Sequence, residues 1–372
     1  MFNGDRIRQA REIVGMTQEQ LADAIGASQT HIALFEQNLR QPQDETITFI
    51  AIATGFPVGF FRREKAPEFP LGSLLYRRHK SMSSKDRDKV RQSARLLFET
   101  ILDMADRFKP IDLRLPRLSS TDPERAAKIT RAELGFSPDT PVVHLLTQLE
   151  KNGVIVALIP YEIDEYDAFS VWADTEPRTP VIVMTTARPG DRQRWNAAHE
   201  LGHLVMHISY SGSHDELERD ANRFAAEFLL PEDVIRPCLS SAPLTLTMLA
   251  DLKSYWGVSI KTLIMRAFEL EIITDGQRRY LFRQMAAKGW NVNEPVPIPQ
   301  EKPRLLRKLS EALYGQSFDA KAVAASIDIP AHVLTSVIGC YASSSEMRGS
   351  RPPTPPQRSD AKPLLVMART KT

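Results

Sequence analysis

Residues 195–207 read WNAAHELGHLVMH, and the reading of this stretch decides the fold of the larger part of the chain. Histidines stand at 199, 203 and 207, a glutamate follows the first, and almost everything else is apolar. Residues four apart lie one turn above each other on the same face of an α-helix. His199 and His203 are therefore neighbours able to share one ion, with Glu200 on the same side. A catalytic zinc takes three protein ligands and leaves one position for water. The metal makes that water acidic, and Glu200 can then accept its proton and pass it to a leaving amine. His207 repeats the spacing but falls about a turn beyond the ion, where a core histidine or one supporting the ligands is expected. A buried helix without metal would show the same apolar pattern, so the neighbouring segments have to decide.

Downstream, residues 216–228 read ELERDANRFAAEF. A metzincin would need glycine at 206 and histidine at 209, where this chain has Met206 and Ser209, so that class is excluded. The gluzincin solution is a glutamate from a following helix. Glu218 shares its face with Ala221, Asn222 and Ala225, small residues suited to close helix packing, and is the first choice for third ligand. Asp220 points elsewhere and Glu216 lies at the frayed start of the helix; they rank second and third. Asn222 is placed to hydrogen-bond a metal-bound histidine from behind. His214 and, below it, Tyr210 lie in a polar stretch where either could face an oxyanion, although loop histidines are usually only solvated. Upstream, GVIVALIP (153–160), DAFSVWAD (167–174) and PVIVMTT (180–186) read as three short, hairpin-connected antiparallel strands.

The first sixty residues read as four or five short helices. GDRIRQAREIVG (4–15) carries Ile7, Ala10, and Ile13 or Val14 at helical spacing and stops at Gly15. Thr17 with Gln20 forms a capping box, and Gly26 supplies a left-handed stop. Ser28 caps the next helix, Ile32 and Phe35 face inward, and Asn38 takes the place glycine usually holds at the end. A fourth helix starts near Asp44. Two helices joined by a three- to four-residue turn, the second opening on polar residues, have helix-turn-helix spacing. Gln29 and Thr30, with Ala33 beside them, point outward: glutamine can pair with adenine, and threonine offers a hydroxyl and a methyl to thymine. Gln18 and Arg40 are placed to reach backbone phosphates. A helical bundle that binds only protein would share this pattern.

Residues 62–95 hold eleven Lys or Arg against four Asp or Glu. That segment could lie along DNA, though such runs are usually solvated helix faces. A long helix is expected over 84–107, with Val90, Ala94, Leu97, Ile101 and Met104 on one stripe, and Pro110 and Pro116 after it. Two helices are expected within 121–150, in DPERAAKITRAELG and PVVHLLTQLEKNG, further helices over 243–290, and a small helical region over 302–339 with helix-turn-helix spacing of its own. The polar, proline-rich end is expected to be disordered. Two cysteines far apart, Cys238 and Cys340, fit a reducing compartment. With no apolar leader and no apolar run long enough to span a bilayer, a cytoplasmic protein without membrane contact is expected.

TQEQLADAIGASQTHIALFEQ, within residues 4–61, resembles the lambda-repressor-like (XRE) helix-turn-helix family. Asn38 departs from the family's glycine. WNAAHELGHLVMH followed by ELERDANRFAAEFLLP, with AFSVW before and LKSYWGVSIKTLIMRA after, resembles the ImmA/IrrE metallo-endopeptidases over residues 120–290. That resemblance implies His199, His203 and Glu218 as ligands of Zn2+ and Glu200 as catalytic base. Asp220 stands where the family more often has glutamate. Family members often carry an XRE domain, and some cleave or release XRE-type repressors. The expected fold is multidomain and mainly α with a small antiparallel β-sheet, a helix-turn-helix domain preceding a gluzincin-like α+β domain. The expected divisions are a DNA-binding domain (1–61), a basic connector and long helix (62–120), the metallopeptidase domain (121–290), a helical C-terminal region (291–342) and a disordered tail (343–372). The expected function is a DNA-binding regulator that cleaves or inactivates an XRE-type repressor or related regulatory protein. Two alternatives stay open: a transcription factor whose metal domain is a sensor or structural site with little turnover, and a protease whose helix-turn-helix docks onto a similar domain in its target. The partners would be a DNA operator, a regulatory protein substrate and a second copy, with the 84–107 helix as a candidate dimer seam.

Overall fold

The computed structural model describes residues 1–64, 83–105, 112–119, 121–159, 167–173, 178–186, 188–207, 213–241, 243–316, 318–341 and 343. Most of the basic connector, the last residues of the expected 84–107 helix, Pro110, Tyr210 and the tail beyond 343 lie outside them. In chain order the described elements begin with α1 (Gly4–Ile13), α2 (Gln18–Ile25), α3 (Gln29–Glu36), α4 (Asp44–Thr54), a 3-10 turn (Val58–Arg62) and α5 (Ser84–Ala105). Next come α6 (Pro123–Glu133), α7 (Leu145–Lys151), β1 (Ile155–Ile159), β2 (Ala168–Ala173), β3 (Thr179–Thr185), α8 (Gly190–Met206) and α9 (His214–Leu229). Seven helices complete the set: α10 (Glu232–Ser240), α11 (Leu246–Trp256), α12 (Ile260–Glu269), α13 (Asp275–Ala287), α14 (Leu305–Tyr314), α15 (Ala320–Ser326) and α16 (Ala331–Gly339). The chain is multidomain and mainly α. Its described residues divide into two compact units, each assembled from separated stretches: those within 1–112, 154–187 and 302–348 in one, and those within 113–153 and 188–301 in the other.

In the first unit, local signals set the helix ends. Thr17 and Gln20 make the expected capping box at α2, and Gly26 closes the helix at φ 66°. Ser28 caps α3, accepting from the His31 amide at 3.3 Å, and Asn38 takes the left-handed turn at φ 59°. Ile7, Ala10, Ile32 and Phe35 are buried, as their spacing demands. The α5 stripe of Val90, Ala94, Leu97, Ile101 and Met104 is buried in the same hydrophobic core, together with Leu306, Leu309 and Tyr341 from the C-terminal helices. Tyr341 fixes that end by donating its hydroxyl to the Val156 carbonyl at 2.9 Å.

The three strands correct one expectation. Their order is β1-β3-β2, so β3 is central. It pairs antiparallel with β2 (Phe169 opposite Val183) but parallel with β1 (Ile155 opposite Val181). The sheet is therefore mixed, and β1 and β2 do not form a hairpin. A central strand covered on both faces carries a continuous apolar run. Residues 180–185, all buried, form such a run, whereas pairing order is not written in any single segment.

In the second unit, α7 is shorter than PVVHLLTQLEKNG suggests. His144 sits at φ 54°, a left-handed backbone through which no α-helix continues, so α7 starts at Leu145. Its first turn is capped from far along the chain, by Glu301 accepting from the Leu146 amide at 2.9 Å. Pro231 follows the end of α9 and opens α10, a helix absent from the sequence reading. Arg131 on α6 is buried and serves three carbonyls, donating to Phe228 at 2.5 Å, to Thr140 at 2.7 Å, and to Ser137. Burial pulls its pKa down to about 10, which leaves it charged at neutral pH.

Candidate functional site

The face α8 presents is set by contacts near its N-terminus. Gly190 lies against the Pro299 carbonyl, where a Cβ would overlap it, and donates its amide to Ile298 at 3.1 Å. Gln193 and the Glu301 backbone exchange two hydrogen bonds of 3.0 and 2.8 Å. Arg194 pairs with Glu301 at 3.1 Å, and buried Lys253 pairs with Asp191 and, at 2.9 Å, with Glu294. The side-chain hydrogen-bond partners lie 62 to 108 residues from the α8 residues they meet, so the spacing of the histidines alone could not reveal them.

Two turns on, α8 meets α9 closely. A Cβ at Gly202 would stand 3.0 to 3.3 Å from the Phe224 side chain, and Ala221 and Ala225 are fully buried. Small residues on both helices let the backbones approach, and that approach brings a carboxylate of α9 to the histidines of α8. His199 Nε2 and His203 Nε2 are 3.1 Å apart. Glu218 lies 3.4 Å from the first through Oε2 and 3.3 Å from the second through Oε1. Among the described residues, this is the one group of three or more histidine, cysteine or acidic side chains placed to hold a metal ion.

The donor set suits a cation. Asn222 Oδ1 stands 3.1 Å from His199 Nδ1. An amide oxygen only accepts, so Nδ1 carries the proton and Nε2 is left as a bare lone pair. His203 Nδ1 is 2.9 Å from His207 Nδ1; with the proton on His203, its Nε2 is a lone pair as well. Burial first, and then the neighbouring imidazoles, lower the His207 pKa to about 3, keeping that ring neutral and able to accept. Two lone pairs and a carboxylate then face one another at 3.1–3.4 Å. Ligands at 2.0–2.2 Å from a tetrahedral zinc are separated by roughly 3.3–3.6 Å; both Glu218 distances fall in that range, and the 3.1 Å between the two imidazoles is slightly shorter. The histidine side chains are 6% and 11% exposed and Glu218 24%, so the cluster is sunk but open on one side.

The remaining candidates separate clearly. Glu200 is buried at 1% exposure, one residue from His199. Glu216 is consumed by the α9 capping box, accepting from the Ser213 amide at 2.9 Å. Asp220 faces Arg223 at 3.9 Å. His214 is the first residue of α9. The contact of His207 with His203 was foreseen only as one of two options, and the four-residue repeat was its signal.

On the helix-turn-helix, Gln29 and Thr30 open α3 and are exposed, as is Arg40. Gln18 is half-buried, with its amide nitrogen donating to Glu36 Oε2 at 2.8 Å. Glu36 in turn takes a paired contact from Arg11, at 2.5 and 3.1 Å. This buried pair ties α3 to α1 and holds Gln18 at the start of α2. The sequence reading missed it, although a charged residue between Phe35 and the turn at Asn38 was its visible sign.

Residues 7–61 match the helix-turn-helix family, and residues 149–268 match the IrrE N-terminal-like domain, a peptidase family. No curated protein matches the chain. The two matched stretches are thus similar to an XRE-type helix-turn-helix and to an IrrE/ImmA-like metallopeptidase domain, in that order along the chain.

Proposed function

We propose that this DNA-binding regulator is also a zinc-dependent endopeptidase, acting in the cytoplasm on an XRE-type repressor or a related regulatory protein. The observation that carries the reading is the meeting of His199, His203 and Glu218 at 3.1–3.4 Å, with the outer nitrogen of each imidazole engaged by a second side chain. These three residues would hold the metal. Zinc in such a site supplies Lewis acidity, making water a nucleophile near neutral pH and drawing charge from a carbonyl.

The protein's side chains do the rest. Glu200 takes the proton of the attacking water on a carboxylate oxygen and returns it to the departing amine nitrogen. Asn222 and His207 keep the two ligand imidazoles in the tautomer that offers Nε2. At the other end of the chain, Gln29 and Thr30 read base edges while Gln18 and Arg40 contact phosphates, placing the protein at an operator.

The test is incubation of the zinc-loaded protein with an XRE-type repressor, beside Glu200→Gln and His199→Ala. The expected result is cleavage by the wild type, zinc retained but cleavage lost in Glu200→Gln, and zinc lost in His199→Ala by elemental analysis. Full cleavage by Glu200→Gln refutes the mechanism. Zinc retention without turnover in the wild type, on this and on unstructured peptide substrates, points instead to a metal sensor.

A further inference from the structure

We propose that a cavity in the first compact unit binds a small organic cation, an amine with a short apolar body, and that Asp328 is the group that receives its charge. None of the residues involved belongs to the candidate metal centre or to the base-reading helix, and the proposal rests on neither reading.

The cavity has a volume of about 270 Å³ and lies among the end of the 3-10 turn, α5, α14 and the segment joining α15 to α16. Pockets for drug-sized ligands start near 300 Å³, so this one suits a smaller molecule. Met104, Leu313 and Ile327 supply apolar wall for the body of such a ligand. Tyr314 adds an aromatic ring, which attracts an ammonium group lying over its face.

The charged lining is one arginine against two aspartates. Arg63 is committed: its guanidinium pairs with Asp103 and donates to the Ile327 carbonyl at 3.3 Å. The hydroxyls of Tyr314 and Ser326 bond to each other at 3.1 Å. Asp328 is what remains. It is half-buried and has no hydrogen-bond or ion-pair partner among the described residues. Its carboxylate is nevertheless held in place, since a Cβ at Gly59 would overlap both carboxylate oxygens and the group packs against that bare Cα. A partly desolvated carboxylate without a partner carries a free-energy cost that a bound cation recovers. A neutral ligand would leave that cost in place, and an anion would add repulsion to it.

The probes share one shape and differ in charge: benzylamine, protonated at neutral pH, benzyl alcohol and benzoate, with n-butylamine as an amine of different body. Each is titrated into the full-length protein by saturation-transfer difference NMR, in excess chelator so that no bound metal competes for the amine. Benzylamine should bind about tenfold more tightly than benzyl alcohol, and benzoate should bind more weakly than either. Asp328→Asn should weaken benzylamine about tenfold and leave benzyl alcohol unchanged. Asparagine tolerates the left-handed backbone that Asp328 adopts at φ 51°, so this variant should fold, which thermal melts verify. Ser326→Phe, at an exposed position of the lining, narrows the cavity without removing the charge and should weaken both amines. Equal binding of benzylamine and benzyl alcohol by the wild type overturns the proposal. So does an unchanged benzylamine affinity in folded Asp328→Asn or in Ser326→Phe, and so does the lack of saturable binding of both amines by the wild type.

Discussion

Replacing Asn222 with alanine tests the candidate metal centre without touching a residue that would hold the ion. Asn222 Oδ1 accepts from His199 Nδ1 at 3.1 Å, the longer side of the usual N–H···O range. Loss of such a partner behind a ligand histidine typically lowers metal affinity between about tenfold and a hundredfold. Asn222 is exposed, so water can take over part of its task, which places the effect at the low end. The expected loss is about tenfold in zinc affinity, or roughly 1.4 kcal/mol. Stability of the metal-free protein should not fall, because alanine is the better helix former at an exposed position. Zinc dissociation constants from chelator competition at neutral pH, with circular dichroism to verify folding, measure both. Asn222→Asp keeps an acceptor and adds charge that strengthens His199 as a donor to the metal, so it should bind zinc at least as tightly as the wild type. A folded Asn222→Ala protein that binds zinc within about twofold of the wild type would refute the claim that this hydrogen bond sets the His199 tautomer.

The α8–α9 approach can be tested at Gly202. Valine there would drive a branched side chain into the buried Phe224 ring, where even a Cβ already stands 3.0 Å from Cδ1; the expected cost is about 1–3 kcal/mol, read from a lower denaturant midpoint. Gly202→Ala should sit near neutral, because a gain of about 1 kcal/mol in helix propensity offsets the tight contact. A valine variant as stable as the wild type would show that the helices are not held this close. Glu12 supplies a pH test in the first unit. Burial disfavours its charge, but hydrogen bonds from Arg8 and Gln92 and the charges of Arg8 and Arg11 outweigh it, so its pKa is lowered on folding. The unfolded chain then binds more protons between the folded pKa and about 4.5, so stability is held above that window and lost as pH falls through it. Glu12→Gln should be less stable at neutral pH and lose less on acidification. Parallel thermal melts from neutral pH downward give the comparison, and equal acid sensitivity in the two proteins would remove Glu12 from that role.

Much of the secondary structure was legible because helix caps are local. Thr17 with Gln20, Gly26 and Asn38 act over three or four residues, and the chain obeys them at each point. The inward faces of α1, α3 and α5 follow from a repeat of 3.6 residues, which needs no knowledge of the partner. Errors arose where a remote group intervened. The start of α7 depends on a left-handed His144 and on Glu301, about 155 residues away along the chain. The parallel pairing of β1 with β3 depends on which strand lies between the other two, a property of no single strand.

Sequence alone determined that His199 and His203 share one face of a helix, because four residues make one turn wherever an α-helix forms. It also determined that α3 opens on polar residues and is anchored through Ile32 and Phe35. Only the tertiary structure decided which acidic group of α9 lies within 3.4 Å of those imidazoles, since that distance is set by packing of Gly202 against Phe224. Only it decided that the compact units draw on interleaved stretches of chain, and that Asp328 comes to lie against Gly59. Spacing along one helix is set by backbone hydrogen bonds within it, whereas the meeting of separate elements is set by side chains packing across distances the local pattern does not encode.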